Sequence, residues 1–360
     1  MADFYEIDFL DVESSKSGDA IPLRYEKNGV VRIHIVDGGF SDTGDKVVKH
    51  VKAFFGNPKR IDSVVVTHPD QDHACGVKKI LEQFERVNEI WMLRPWIYAA
   101  ELLFRFPRFG SAEGLSKRLR EIYPYIADVE DVAFEKKIPI YEPFQGAKIG
   151  DFTVLAPSRK RYLDLVVESE KTPPVTEARQ NLAGRAAMAF DAAKTFLKAL
   201  WGVESFSDNE TSAENEMSVI QYANLCGQKI LLTADAGRSG LKEAADFAPY
   251  VGLSLPGIDR FQVPHHGGRR NVSTELLDRW LGPRHRERPA PNSEKFTAVI
   301  SAAKKDDDHP RRAVVRAMIH RGAKVVGTKD GKDLTASYNA PSREGWEAAV
   351  PMEYPEDQED

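Results

Sequence analysis

A run of valines, Val64-Val65-Val66, is followed at once by Thr67-His68-Pro69-Asp70-Gln71-Asp72-His73-Ala74-Cys75-Gly76, which sets two imidazoles and two carboxylates within six positions. The apolar run reads as a buried parallel strand, and His68 to His73 as the loop at its carboxyl end, where open α/β sheets keep their chemistry. The stretch from Gly76 to Phe84 has helical spacing, so the cluster lies between a strand and a helix. A polar loop accounts for any one of these residues. Four ligand-type side chains behind a hydrophobic strand repel and desolvate one another unless a cation compensates them.

The same alternation runs through the chain. Tyr5 to Val12, Ala20 to Tyr25 and Val30 to Val36 read as strands, the last ending in Asp37-Gly38-Gly39. A helix is predicted from about Thr43 to Phe55, then strands at Ile61 to Val66 and Ile90 to Leu93. From Arg94 to Tyr125 the aromatic residues Trp96, Tyr98, Phe104, Phe106, Phe109, Tyr123 and Tyr125 mix with Arg94, Arg105, Arg108, Lys117, Arg118 and Arg120. Two readings fit this insertion: a wall that stacks bases and neutralises phosphates, or an amphipathic helical unit with its aromatics in the core and its arginines solvated. Phe134 to Val154 looks rich in strand, Phe152 to Ala156 reads as a central strand, and a long helix is expected around Leu182 to Leu200.

In the second half, Met217 to Tyr222 and Lys229 to Thr233 read as adjacent strands, and the second delivers Asp235 at its end. Ile258 to Val263 leads into Pro264-His265-His266-Gly267. Helices are expected at Ser273 to Trp280 and Ala313 to His320, and strands at Phe296 to Ser301 and Lys324 to Val326. The reading gives a single domain over 1–350, with a helical insertion near 94–130, a further insertion near 158–210, and an acidic tail at 351–360 that frays.

With 42% hydrophobic and 29% charged residues and a formal net charge of −5, bulk charge gives no basis for non-specific adhesion to nucleic acid, although local basic surfaces are compatible with it. No apolar run reaches membrane-spanning length and no basic-then-apolar leader opens the chain, so the expectation is a cytoplasmic protein without a membrane partner. Cys75 and Cys226, the only cysteines, form no CxxC pair and read as reduced core residues.

Asp37, His68 to His73, Asp235 and His265-His266 all end apolar runs, with Asn215 and His309 as weaker additions. Singly, each has an ordinary explanation as turn, cap or surface residue. Their repetition at strand ends points to one shared centre. Together with Phe9-Leu-Asp-Val12, Gly18-Asp19-Ala20, Asn215-Glu-Met-Ser218 and His309-Pro310, these landmarks make the sequence resemble the metallo-β-lactamase superfamily, and more narrowly the nuclease-like domain of the competence protein EC/Rec2 DNA-uptake family. Asp70 stands where the superfamily usually has histidine, Ala234 where glycine is frequent, and Gly268 where serine commonly follows the two histidines.

The resemblance implies a four-layered αββα sandwich with two divalent ions, Zn²⁺ or Mn²⁺, at one edge. By that implication His68 and Asp70 hold one metal, Asp72, His73 and His265 the other, and Asp235 bridges them. Asp37 orients ligands, Asn215 approaches the first metal or its shell, His266 contacts phosphate, and Ser218 and His309 support the edge. The expected chemistry is phosphodiester hydrolysis by hydroxide generated at the metals, with Asp72, Asp235 and His266 as catalytic groups and DNA as the favoured substrate. A small-molecule or cyclic-nucleotide phosphodiesterase is the enzymatic alternative. A catalytically inactive, metal-stabilised protein-interaction module is the other.

Overall fold

The computed structural model describes residues 3–12, 15–172, 200–290 and 292–358. In chain order the strands are β1 (Phe4–Phe9), β2 (Ile21–Lys27), β3 (Val30–Val36), β4 (Arg60–Val66), β5 (Arg86–Met92), β6 (Ile140–Tyr141) and β7 (Lys148–Ile149). They continue as β8 (Phe152–Ala156), β9 (Ile220–Leu225), β10 (Gln228–Leu232), β11 (Arg260–Gln262), β12 (Phe296–Ile300), β13 (Ala323–Gly327) and β14 (Leu334–Tyr338). One sheet has the order β14-β1-β2-β3-β4-β5-β6 and the other β13-β12-β11-β10-β9-β8-β7. Both are mixed: β3 to β6 run parallel, as do β10 to β13, and the remaining pairs are antiparallel.

Strand alternation sorts the apolar side chains into three layers. Val65 of β4 joins Ile7, Leu23, Ile230, Leu232 and Val299 between the sheets. Val64 and Val66, one residue to either side, pack outward against Val47, Val51, Val77 and Ile80. In the second sheet Leu231 and Ile300 face Leu241, Leu277, Trp280 and Val314. Helices Ser41–Phe54, Val77–Gln83 and Pro124–Glu135 thus cover one outer face, and Arg238–Phe247, Thr274–Leu281 and Arg312–His320 cover the other. The architecture is the expected αββα sandwich. Each buried Val or Leu contributes about 1.5–3 kcal/mol to it.

Several expectations are corrected. Phe134 belongs to the helix Pro124–Glu135, whose Ile126, Val129, Val132 and Ala133 recur at helical spacing, and the region after it contains only the two-residue strands β6 and β7 before β8. β14 is an edge strand without a dense apolar run, which is why the sequence did not signal it. The helix expected around 182–200 lies, but for its last residue, outside the described residues. Against the expectation of a fraying tail, residues 351–358 are held: the Met352 amide donates to the Val325 carbonyl, Arg316 donates to the carbonyls of Pro355 and Glu356, and Gln358 donates to the Val203 carbonyl. Both cysteines are free and half-buried rather than core.

In the insertion, Trp96, Tyr98, Phe106 and Tyr123 are buried in the outer core. Its arginines are paired within the chain: Arg94 and Arg120 with Glu130, Arg105 with Asp164, and Arg118 with Glu121. This agrees with the amphipathic helical reading. Phe104 is the exposed exception. No helix among the described residues is long and apolar enough to cross a membrane.

Candidate metal centre

Parallel β4 runs directly into the His68–His73 loop, and β10 into Thr233-Ala234-Asp235, so two parallel strand ends of opposite sheets face each other at one edge. Asp235 stands at the centre. Its Oδ1 lies 3.3 Å from His73 Nε2 and 3.6 Å from His266 Nε2, while its Oδ2 lies 3.8 Å from His68 Nε2 and 3.5 Å from His265 Nε2. Asp72 Oδ2 faces the first pair, at 3.9 Å from His73 Nε2 and 3.7 Å from His266 Nε2. Asp70 faces the other side, with Oδ2 3.9 Å from His68 Nε2.

Among the described residues two groups of acidic and imidazole side chains converge within 4.8 Å: Asp72, His73, Asp235 and His266, and Asp19, Asp37 and His73. His266 lies in the first group, while His265 and Asp70, both expected as ligands, are in neither. The Nε2 atoms of His68, His73 and His266 and Oδ1 of Asp235 are buried without a hydrogen-bond partner. Four orphaned donor and acceptor atoms aimed at one another are costly to bury and fit a bound cation.

A second layer fixes the rings. Asp37 Oδ2 accepts from His73 Nδ1 at 2.8 Å and from Thr67 Oγ1 at 2.6 Å, and its Oδ1 accepts from the Thr67 amide. Having given its proton to Asp37, the Thr67 hydroxyl accepts from His68 Nδ1 at 3.1 Å. One carboxylate thus fixes Nδ1 of both imidazoles as the donor and leaves Nε2 as the lone-pair atom of the neutral ring, the arrangement that metal-ligating histidines use. The Asn271 amide does the same for His265, whose Nδ1 donates to Oδ1 at 2.9 Å while Nδ2 donates to the Asp235 carbonyl. Asn215 Nδ2 lies 3.4 Å from His265 Nε2 and donates to Thr211 Oγ1.

Asp37, Ala234, His265 and His266 all have positive φ, at 59°, 46°, 50° and 56°. Non-glycine residues held there store strain of about 1–3 kcal/mol each, and such strain gathers at functional sites. Gly268 has a local reason too: a Cβ there would sit 2.8 Å from His265 Nδ1 and 3.0 Å from Asn271 Oδ1.

The cluster's protonation reflects its crowding. Burial lowers His68, with His73 adding to the effect. Burial also works against a charged His73 and His266, yet the carboxylates outweigh it: Asp235, Asp37 and Asp72 hold His73 well above the usual range, and Asp235 with Asp72 raises His266 to about 9. Burial opposes ionisation of Asp72 and Asp235, but the surrounding imidazoles pull both well down. Burial pushes the Asp19 carboxyl up.

Of the supporting residues, His309 donates from Nδ1 towards Asp306 Oδ2 at 3.1 Å, and its ring lies 5.4 Å from that of His265. Asp306 also accepts from the Ser17 hydroxyl at 2.6 Å. Ser218 is buried, and its hydroxyl has no partner among the described residues. Thr67, Asn271, Asp19 and Lys171 had no role in the sequence reading. Thr67 and Asp19 stood inside quoted motifs. Asn271 and Lys171 gave no local signal. Lys171 Nζ lies 2.5 Å from Asp70 Oδ1.

Beside the cluster is a cavity of about 480 Å³ lined by Lys16, Lys171, Phe40, Asp70, Asp72, Tyr123 and Tyr125, among others. The insertion supplies its tyrosine wall.

The sequence profile of the metallo-β-lactamase superfamily matches residues 26–92, which span β3, β4 and the His68–His73 loop. No curated protein sequence matches the chain. Among solved structures, a hydrolase of the β-lactamase superfamily, AbOPH, aligns at 13% identity with a TM-score of 0.28, over 60% of this chain and 56% of that one. The chain thus spans little more than half the length of that structure. A Thermotoga maritima protein described as a candidate metallo-β-lactamase aligns at 12% identity and TM-score 0.29, over 65% of this chain and 81% of that one. The profile match, spanning under a fifth of the chain, and the grouped acidic and imidazole side chains are the points of likeness to this superfamily. They leave the DNA-uptake branch without support.

Proposed function

We propose that the chain is a divalent-metal-dependent phosphodiesterase with DNA as its substrate. The observation that carries the reading is the convergence of Asp72, His73, Asp235 and His266 on one point, with orphaned, buried ring nitrogens and a carboxylate oxygen. These four residues would hold a cation; His68, Asp70 and the other oxygen of Asp235 line the space beside it. A divalent cation supplies there the positive charge that stabilises a phosphoryl group in transfer.

The chain's own groups complete the task. Asp37 and Thr67 keep His68 and His73 in the accepting tautomer, and Asp235 presents one oxygen to each side. Lys16 and Lys171 put positive charge in the wall of the adjoining cavity, suited to an anionic ester rather than a neutral lactam. Exposed Lys304, Lys305 and Arg270 lie on loops that reach the same edge, which supports a polyanion.

One observation favours a small phosphodiester instead. A cavity of about 480 Å³ walled by Phe40, Tyr123 and Tyr125 has the size of a small-molecule site, and Arg94 and Arg120 of the insertion are neutralised by Glu130. The test is turnover of metal-depleted protein resupplied with Mn²⁺ or Zn²⁺ on single- and double-stranded DNA, RNA, and cyclic or short phosphodiesters, with Asp72→Ala and Asp235→Ala as controls. DNA cleavage lost in both variants is the expected result. Turnover of short phosphodiesters alone would replace DNA with a small substrate, and inert metallated protein would remove the enzymatic reading.

A further inference from the structure

The two sides of Asp235 are unequal. On the Oδ1 side, four ligand atoms lie within 4.8 Å of one another and three of them lack any partner. On the Oδ2 side, His68 Nε2 is buried without a partner, while His265 Nε2 and Asp70 Oδ1 each have one. His265 Nε2 faces the amide nitrogen of Asn215, a donor, at 3.4 Å. Asn215 offers that nitrogen, not its oxygen, because His265 donates from Nδ1 to Asn271 and so presents a lone pair at Nε2. Asp70 is held by Lys171 at 2.5 Å.

Lys171 is placed rather than incidental. Its amide donates to Ser169 Oγ, and Thr172 folds back onto the Ser169 carbonyl through both its amide and its hydroxyl. Ser169 in turn donates to Glu214 and accepts from the Tyr123 hydroxyl, all three buried. This turn aims the lysine across the cavity mouth at Asp70. An ammonium at that distance offsets the charge of the carboxylate on which a second divalent ion would depend, and from the same cavity lining its remaining N–H donors are offered to an anionic ester.

Resting on the metal-dependent reading above, we infer that Lys171 serves as the cation of the Asp70 side: the centre binds one divalent ion tightly, at Asp72, His73, Asp235 and His266, and a substrate phosphate is held between that ion and the lysine. The consequence is a stoichiometry of one, set by a side chain from the turn that follows the helix Arg159–Glu168.

The experiment titrates Mn²⁺ into metal-depleted wild type, Lys171→Met and Asp70→Asn by calorimetry, with the electron paramagnetic resonance spectrum reporting isolated or spin-coupled ions, and circular dichroism confirming the fold. The expected result is one tight equivalent and an isolated-ion spectrum for wild type, a second equivalent gained by Lys171→Met with affinity raised about tenfold or more, and an unchanged first equivalent in Asp70→Asn. Two equivalents of similar affinity in wild type, or no gain in Lys171→Met, overturn this inference and leave metal dependence standing. Absence of any binding to wild type overturns both.

Discussion

Asp37 holds His73 through a 2.8 Å hydrogen bond from Nδ1 to Oδ2, and this bond determines which ring nitrogen faces the centre. The same oxygen fixes the Thr67 hydroxyl, and through it the ring of His68.

Asp37→Asn is therefore expected to weaken Mn²⁺ or Zn²⁺ binding by about 10–100-fold while the protein stays folded. Asparagine tolerates the positive φ of this position, so backbone strain is not added. Calorimetric titration of the variant with metal checks this; unchanged affinity would deny Asp37 its orienting role.

The adjacent histidines separate by geometry. His266→Ala is expected to lower metal affinity by about 100-fold or more, because it removes one of four convergent donors. His265→Ala should change affinity less than about threefold, its Nε2 being directed at Asn215. Equilibrium dialysis of the two variants reads the contrast, and the reverse order would restore His265 as the ligand.

His34 gives a stability signature in acid. Burial lowers it to about 3, only partly opposed by Gln221. Its folded value lies below the ordinary 6.5, so below that pH the unfolded chain takes up a proton that the folded chain refuses. The stabilisation is complete above about pH 6.5 and is lost progressively down to about pH 3, at up to about 1.4 kcal/mol per pH unit. Urea unfolding of wild type and His34→Leu from pH 7 to 4.5 should show this slope in the wild type and its reduction in the variant; parallel curves would refute it.

Arg321 is fully buried against Glu204 and Asp278, and Glu204 also accepts from Thr274 at 2.6 Å. Burial opposes ionisation of Glu204, but His320 and Arg321 hold it down at about 2. Glu204→Ala strands much of the arginine's charge and is expected to cost about 3–5 kcal/mol, read from the denaturation midpoint. A loss under about 1 kcal/mol would mean that Asp278 and the carbonyls of Thr274 and Ala317 satisfy Arg321 without Glu204.

The sandwich was legible because its central strands are short apolar runs whose ends carry Asp37, His68 and Asp235; burial on both faces of β4 is written in three consecutive valines. Which of His265 and His266 joins the convergent group was not legible. Both residues sit at positive φ, and no periodicity rule says which ring turns inward when the backbone leaves the strand that way. Lys171 reaches Asp70 across 101 positions, and its anchoring through Ser169 and Glu214 exists only once the helices have packed. The insertion had two readings because composition does not reveal pairing. Glu130, which neutralises both Arg94 and Arg120, lies in the helix after the aromatic stretch.

The pairing of β1 with β14 joins Tyr5 to Tyr338. On a ribosome adding about 5–20 residues each second, roughly 15–70 s separate the emergence of those two strands. Throughout that interval the outer edge of β1 has its hydrogen-bonding groups uncovered, an open template for another nascent chain. Expression yield for this protein is therefore tied to the speed of translation and to whatever shields that edge until the last strand arrives.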